Sequence, residues 1–138
     1  MNKIIKKIIK KYEQKGDFNY SLVSDEMLLN AEEILNVKLP EQYKDYIKMF
    51  GHGGIASLEI MGVGLTGKML FLESTLEYRG EGLPENLVVI ENVDDYLTCI
   101  DCKTEKVVSW DFSGYIKEEY KSFDEYLMDQ MNSAIENI

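Results

Sequence analysis

The chain has 138 residues, of which 45% are hydrophobic and 11% aromatic; it is long enough for one ordinary domain with a buried core, and this composition excludes a disordered chain. The formal net charge is −10 and it is unevenly distributed, with +5 on residues 1–15 and −15 on the remainder. An acidic body repels nucleic acid phosphates and attracts basic protein surfaces, although the same acidity can simply keep a domain soluble.

No part of the sequence is typical of a membrane or export segment. The apolar runs are short, and lysines divide the isoleucine pairs at the N-terminus, where a secretory peptide would have a continuous apolar core. Two cysteines and no export signal favour a reducing compartment. We therefore expect a cytoplasmic protein.

The first third of the chain predicts three helices. Residues 3–15 predict an amphipathic helix with isoleucines on one face and lysines on the other. Such a helix could bind an anionic membrane. Because it has only about three turns and no Trp or Phe, packing against the domain is favoured. A second helix begins after the N-cap Ser24 and runs to Leu35. A third spans Pro40 to Phe50, and Gly51 is placed to end it.

After Gly54 the pattern changes to that of strands. We predict strands at Ile55–Met61 and Leu87–Ile90; residues 69–78 fit a strand over Leu70–Leu72 followed by a short helix. Tyr96–Asp101 and Lys106–Asp111 flank a turn and form the clearest hairpin. A capping box at Ser122–Glu125 opens a last helix. The prediction is one α+β domain over 1–138, with N-terminal helices, a mainly antiparallel sheet and a C-terminal helix; a peripheral position is the alternative for the helix of 3–15.

Three patterns that can carry chemistry favour structural roles instead. Cys99 and Cys102 have redox or zinc spacing, but the first lies in a strand and a four-ligand zinc site would need more than the single His52. The glycines of 62–68 resemble a phosphate loop, yet Met69 stands where magnesium needs a hydroxyl. No nucleophile, base and orienting acid can be grouped. We predict no catalytic residue, no metal and no cofactor, and hence no enzyme.

The hairpin offers a candidate recognition surface. Trp110 and Asp111 end its second strand, and Tyr96 lies on the facing strand. Tryptophan and tyrosine anchor many interfaces, and neighbouring acids would complement a basic partner. The alternative is that Trp110 is a core side chain under the C-terminal helix, since a lone tryptophan is more often buried.

Four segments carry a resemblance to a known family, covering residues 24–128. The helix, proline and glycine-turn unit of 31–54 resembles the signature of the SUKH superfamily, the Smi/Knr cell-wall-regulator-like domains, many of which are bacterial immunity proteins. Similar elements of that family are an E-x-T-x-x-x-R segment at 73–79, an entry into the central strands at 83–90, and a closing hairpin and helix at 107–111 and 122–127.

The resemblance implies an antiparallel sheet flanked by helices in a small, non-enzymatic protein that neutralises a cognate toxin, commonly a nuclease domain. We therefore expect a protein toxin as partner, with no nucleic acid and no membrane. A regulatory scaffold domain and a small-ligand domain using a pocket near Arg79 remain alternatives. The expected contact surface contains Glu73, Glu77, Arg79, Asp94, Asp95, Tyr96, Asp101, Glu105, Trp110 and Asp111.

Overall fold

The computed structural model describes all residues 1–138, in which five helices flank one antiparallel sheet. The helices are α1 (Lys3–Tyr12, extended by a 3-10 turn at Glu13–Lys15), α2 (Asp25–Leu35), α3 (Glu41–Phe50), α4 (Leu70–Arg79) and α5 (Phe123–Glu136). The strands are β1 (Leu87–Asn92), β2 (Tyr96–Asp101), β3 (Val107–Asp111) and β4 (Ile116–Tyr120), and they lie side by side in that order. The expected α+β class is confirmed. None of the helices is both long and apolar enough to cross a membrane.

The helix ends follow local sequence signals. The side chains of Asn2, Ser24 and Ser122 each accept hydrogen bonds from backbone N–H groups of the first turn they precede. At α5 the Glu125 carboxylate accepts from the N–H of Lys121, one residue before the serine, so the predicted capping box closes in a slightly shifted form. Helices α1, α2, α3 and α5 therefore begin close to where the sequence predicts.

In the strand region, one predicted strand is absent, an ambiguous segment is helical, and one strand was not predicted. Residues 55–61 make only isolated bridges, Gly16 to Ile55 and Gly53 to Ile60, and no strand. Leu70–Leu72 belongs to α4. Strand β4 has no apolar alternation, because four of its five residues are exposed, and it exists by pairing with β3. Pairing with β3, and not local pattern, makes residues 116–120 a strand, and the lack of a continuous pairing partner leaves 55–61 without one.

Two hydrophobic cores lie on opposite faces of the sheet. The larger core joins the helices to the face carrying Ile90, Ile100 and Val107, and it includes Ile5 of α1. Its aromatic centre packs edge to face, with the Tyr43 ring centroid 5.3 Å from that of Phe123. The smaller core covers the other face and contains Leu83, Leu87, Val89, Leu97, Cys99, Val108 and Trp110.

The glycine turn after α3 is tightly packed against neighbouring backbone. Gly51 has φ +73°, and a Cβ there would lie 2.1 Å from Asn19 Oδ1. A Cβ on Gly62 would lie 1.8 Å from the Gly51 carbonyl oxygen. The glycine at the start of the 62–68 motif is thus explained by close backbone approach.

The two edges of the sheet are treated differently. At β1, the Thr75 hydroxyl accepts from Val89 N–H (3.0 Å) and donates to the Phe71 carbonyl (2.7 Å), which ties α4 to the strand. The N–H of Met61 also donates to the Ile90 carbonyl on this edge. Strand β4 has no neighbour on its outer side, and its exposed charges are typical of an open edge that resists aggregation.

Candidate functional site

The ten predicted contact residues do not form one patch. Asp94, Asp95, Tyr96 and Asp111 lie at the end of the sheet where β1 turns into β2 and β3 ends. Asp101 and Glu105 lie at the β2–β3 turn, at the other end. Because β2 has six residues, the two ends are separated by about 17 Å. We call the first the acidic end and the second the opposite end.

At the acidic end, tight turns order the backbone at Asp94 and the carboxylate of Asp111. Asp94 has φ +65°, and its N–H donates to Asn92 Oδ1 at 2.9 Å. The Asp111 carboxylate accepts from the Ser113 hydroxyl and from the N–H groups of Ser113 and Tyr115. These hydrogen bonds, that of the Ser113 side chain first, keep the pKa of Asp111 below its ordinary value. Asp111 is therefore held as a charged, ordered group.

These acids have no basic partner within the chain. The seven ion pairs of the structure involve other acids, and Asp94, Asp95 and Asp111 occur in none of them. Asp94 and Asp95 are exposed. The acidic end thus presents negative charge that internal pairing does not neutralise.

Exposed apolar side chains lie next to these acids. Tyr96 is 40% exposed, Phe112 50% and Tyr115 62%, all on the turns or strand starts of this end. Trp110, by contrast, is 2% exposed and belongs to the smaller core, on the sheet face away from α5. Its ring centroid lies 5.2 Å from that of Phe112. Trp110 therefore supports an exposed aromatic residue from beneath and does not itself reach the surface.

At the opposite end, the predicted residues hold the fold together. Asp101 Oδ1 accepts from the Asn86 side chain and from Lys103 N–H, and the Glu105 N–H, at φ +64°, donates to the Asp101 carbonyl. Arg79 Nη2 donates to the carbonyls of Leu35 (2.8 Å) and Glu85 (2.6 Å), joining the end of α2 to the segment before β1, and its Nε is buried without a partner.

The segment of 73–79 has two kinds of residue. Thr75 and Arg79 make the structural bonds described above, whereas Glu73 and Glu77 are exposed on α4. Beside Arg79 a cavity of about 340 Å³ is lined by Asn36, Val37, Lys38, Glu85, Asn86, Cys102 and Lys103. The pocket expected near Arg79 exists, although Arg79 itself is not in its wall.

Sequence reasoning missed a groove between the sheet and α5. The side chains of Glu91, Tyr96, Thr98, Glu119, Tyr120 and Tyr126 line a cavity of about 150 Å³ there. Tyr126 O–H donates to Glu91 Oε1 at 2.7 Å. These residues come from β1, β2, β4 and α5, so no short sequence motif unites them; the alternation of Tyr96 and Thr98 on β2 was the only available signal.

The remaining candidate groups are structurally accounted for. Cys99 and Cys102 are free thiols, and burial raises the pKa of each to about 12. His52 Nδ1 accepts from Gly62 N–H at 3.1 Å, which leaves Nε2 to donate to Glu59 at 3.0 Å. The histidine therefore fixes the glycine turn. No three or more His, Cys, Asp or Glu side chains are grouped so as to hold a metal ion.

This architecture defines a class of small α+β domain whose exposed acids and aromatics suit contact with another macromolecule. A family model described as SMI1-KNR4 cell-wall, SUKH_5, matches residues 1–132, and the chain belongs to that family. The SUKH resemblance seen in the sequence is thereby confirmed. The fold is also similar to the crystal structure of a protein from Pseudomonas syringae pv. tomato, at a TM-score of 0.70 and 17% identity over 90% of this chain and 96% of that one.

Proposed function

We propose that the protein is a cytoplasmic immunity protein, which binds a cognate toxin domain and neutralises it without catalysing a reaction. Membership of the SUKH family is consistent with toxin immunity or with an SMI1/KNR4-like protein-interaction role. The finer proposal depends on one observation, the unpaired carboxylates of the acidic end beside exposed aromatic side chains. Aromatic side chains would supply contact area and the acids charge complementarity.

A nuclease-type toxin suits this surface. A nuclease must have a basic active site to hold phosphates, and an acidic protein surface can cover such a site by steric and electrostatic means. The net charge of −10 also accelerates encounter with a basic partner over distances of about a Debye length. Binding should therefore be fast and should slow as salt is added.

The test is co-expression with the toxin candidate of the neighbouring gene, scored by growth and by co-purification. We expect protection and a stoichiometric complex. Protection without a complex, or a complex without protection, contradicts direct neutralisation. In both cases the regulatory scaffold alternative becomes the better explanation.

Matched variants locate the contact. The variant D94N/D95N/D111N removes three charges at the acidic end, while asparagine keeps the turn hydrogen bonds. The control E33Q/E85Q/E105Q removes three exposed charges from other sites, and Glu105 lies at the opposite end. We expect the first set to lower the association rate at low salt roughly tenfold and the second to change it little. Equal slowing by both would mean that only the total charge matters.

A small-ligand role has one supporting observation, the cavity of about 340 Å³ beside Arg79, which contains Lys38 and Lys103. Its size is at the lower limit for small-molecule sites. Native mass spectrometry of the purified protein would reveal a retained ligand. A protein that carries none after mild purification contradicts this alternative.

A further inference from the structure

The groove between the sheet and α5 has the size of a single side chain. Its cavity of about 150 Å³ is below the range of drug-sized or cofactor sites. Glu91 and Glu119 supply its two carboxylates, and no basic side chain lines it. The cavity is therefore anionic without an internal counter-charge in its wall.

Hydrogen bonds order both carboxylates, but these bonds use only part of their capacity to accept. Glu91 uses Oε1 to accept from Tyr126, and its burial raises its pKa while that hydrogen bond opposes the rise. Glu119 accepts from the Ser109 hydroxyl at 3.1 Å. The nearest cation to Glu119 is Lys117, at 3.9 Å and 61% exposed, which is a weak surface pair that an incoming cation can displace.

An unpaired polar group also faces this cavity. Thr98 lines it and is 6% exposed. Its hydroxyl takes no part in the side-chain hydrogen bonds of this face, which join Ser109 to Glu119, Tyr126 to Glu91, and Tyr120 to Asp129 and Gln130. A hydroxyl in a cavity wall that makes no hydrogen bond within the chain can donate to or accept from a ligand.

We infer that this cavity receives one arginine side chain of the protein partner, with its guanidinium between Glu91 and Glu119 and a donor directed to the Thr98 hydroxyl. The inference rests on the proposed function, since it names the feature of the partner that the site would recognise. A guanidinium carries several N–H donors in a plane, and the rings of Tyr96 and Tyr120 in the wall offer faces on which it can stack. The cavity opens beside the acidic end, because Tyr96 belongs to both.

The inference can be tested without the toxin. Amide chemical shifts of the ¹⁵N-labelled full chain are followed by NMR during titration with N-acetyl-arginine-N-methylamide, and in parallel with the citrulline analogue, which has the same shape and no charge. We expect saturable shifts concentrated at Glu91, Thr98 and Glu119 with the arginine probe, and none with citrulline. Shifts spread evenly over all exposed acids, or no saturable shifts, would overturn the inference.

Two variants separate the cavity from general acidity. E91Q retains the hydrogen bond to Tyr126 and should lower the affinity for the arginine probe at least fivefold. T98V keeps the side-chain shape and should lower that affinity several-fold. E118Q is the matched control, because Glu118 is exposed on β4, pairs with Lys106 and lies outside this cavity. Equal loss in E91Q and E118Q contradicts the site. Toxin protection with no arginine binding defeats the inference alone, whereas arginine binding without protection defeats the proposed function alone.

Discussion

Both ends of the sheet contain aspartates, and the two ends use them differently. At the opposite end, Asp101 and Arg79 bind backbone and amide groups of neighbouring segments, so their polar atoms hold the fold. At the acidic end, Asp94 and Asp95 point into solvent with no basic partner, and Asp111 orders only its own turn. A carboxylate that is satisfied internally is a poor contact residue, and an unpaired exposed one is available for binding.

The largest expected effect lies beneath the acidic end, at Trp110. Replacing the 2%-exposed indole by alanine in W110A leaves a cavity in the smaller core and should lower the free energy of unfolding by about 3–5 kcal/mol. F112A, which removes the half-exposed ring packed on Trp110, should cost about 1 kcal/mol. Urea denaturation of both variants measures this. Similar losses would show that Trp110 is not the buried support of this end.

The opposite end should respond next most strongly, through Arg79. R79M keeps much of the apolar stem but removes the charged donors to the Leu35 and Glu85 carbonyls, and we expect a loss of roughly 2–3 kcal/mol. Urea denaturation again gives the value, with E77Q as control because Glu77 is exposed on the same helix. An R79M protein as stable as wild type would mean that these two bonds are not what joins α2 to β1.

A smaller effect should appear in the pH dependence of stability, through Glu91. Burial raises its pKa above 4.5 in the folded state, so the folded protein holds this proton more tightly than the unfolded chain. The resulting stabilisation of the folded state is complete below pH 4.5 and is lost as the pH rises through the raised pKa of the folded state. E91Q cannot titrate, so wild-type Tm should fall relative to E91Q over that interval. A Tm difference that is constant from pH 4 to pH 7 contradicts this.

The smallest effect on stability is expected for the acids of the acidic end. D94N/D95N/D111N should lower the free energy of unfolding much less than R79M does, because asparagine can still accept the turn hydrogen bonds at position 111 and no ion pair is broken. Urea unfolding of this variant beside R79M compares the two ends directly. A loss as large as that of R79M would assign the acidic end a structural role as well.

Much of the fold was accessible from local sequence. Ser24 and Ser122 are N-caps where predicted, and the hairpin of 96–101 and 106–111 forms with Tyr96 opposite Asp111. The failures occurred where local pattern carries no signal. Strand β4, Ile116–Tyr120, is stabilised by its neighbour, and the apolar run of Leu70–Leu72 fits a buried helix turn as well as a strand.

The candidate site was accessible only in part. Asp94, Asp95, Tyr96 and Asp111 lie together at one end of the hairpin, whereas Asp101 and Glu105 lie at the other end, because the six residues of β2 separate them. The groove with Glu91, Thr98 and Glu119 is not evident from the sequence, since its residues lie far apart in the chain; Glu91 and Tyr126, which share a hydrogen bond, are 35 positions apart.

The sequence by itself determined the helix starts, the hairpin, the acidic character and the family, because caps, turns and periodicity act over a few residues and charge is additive. Only the tertiary structure decided which charges are used internally and which face solvent, and whether Trp110 is surface or core. Hydrogen bonding and burial depend on which residues are close in space, and those residues are often distant in the chain.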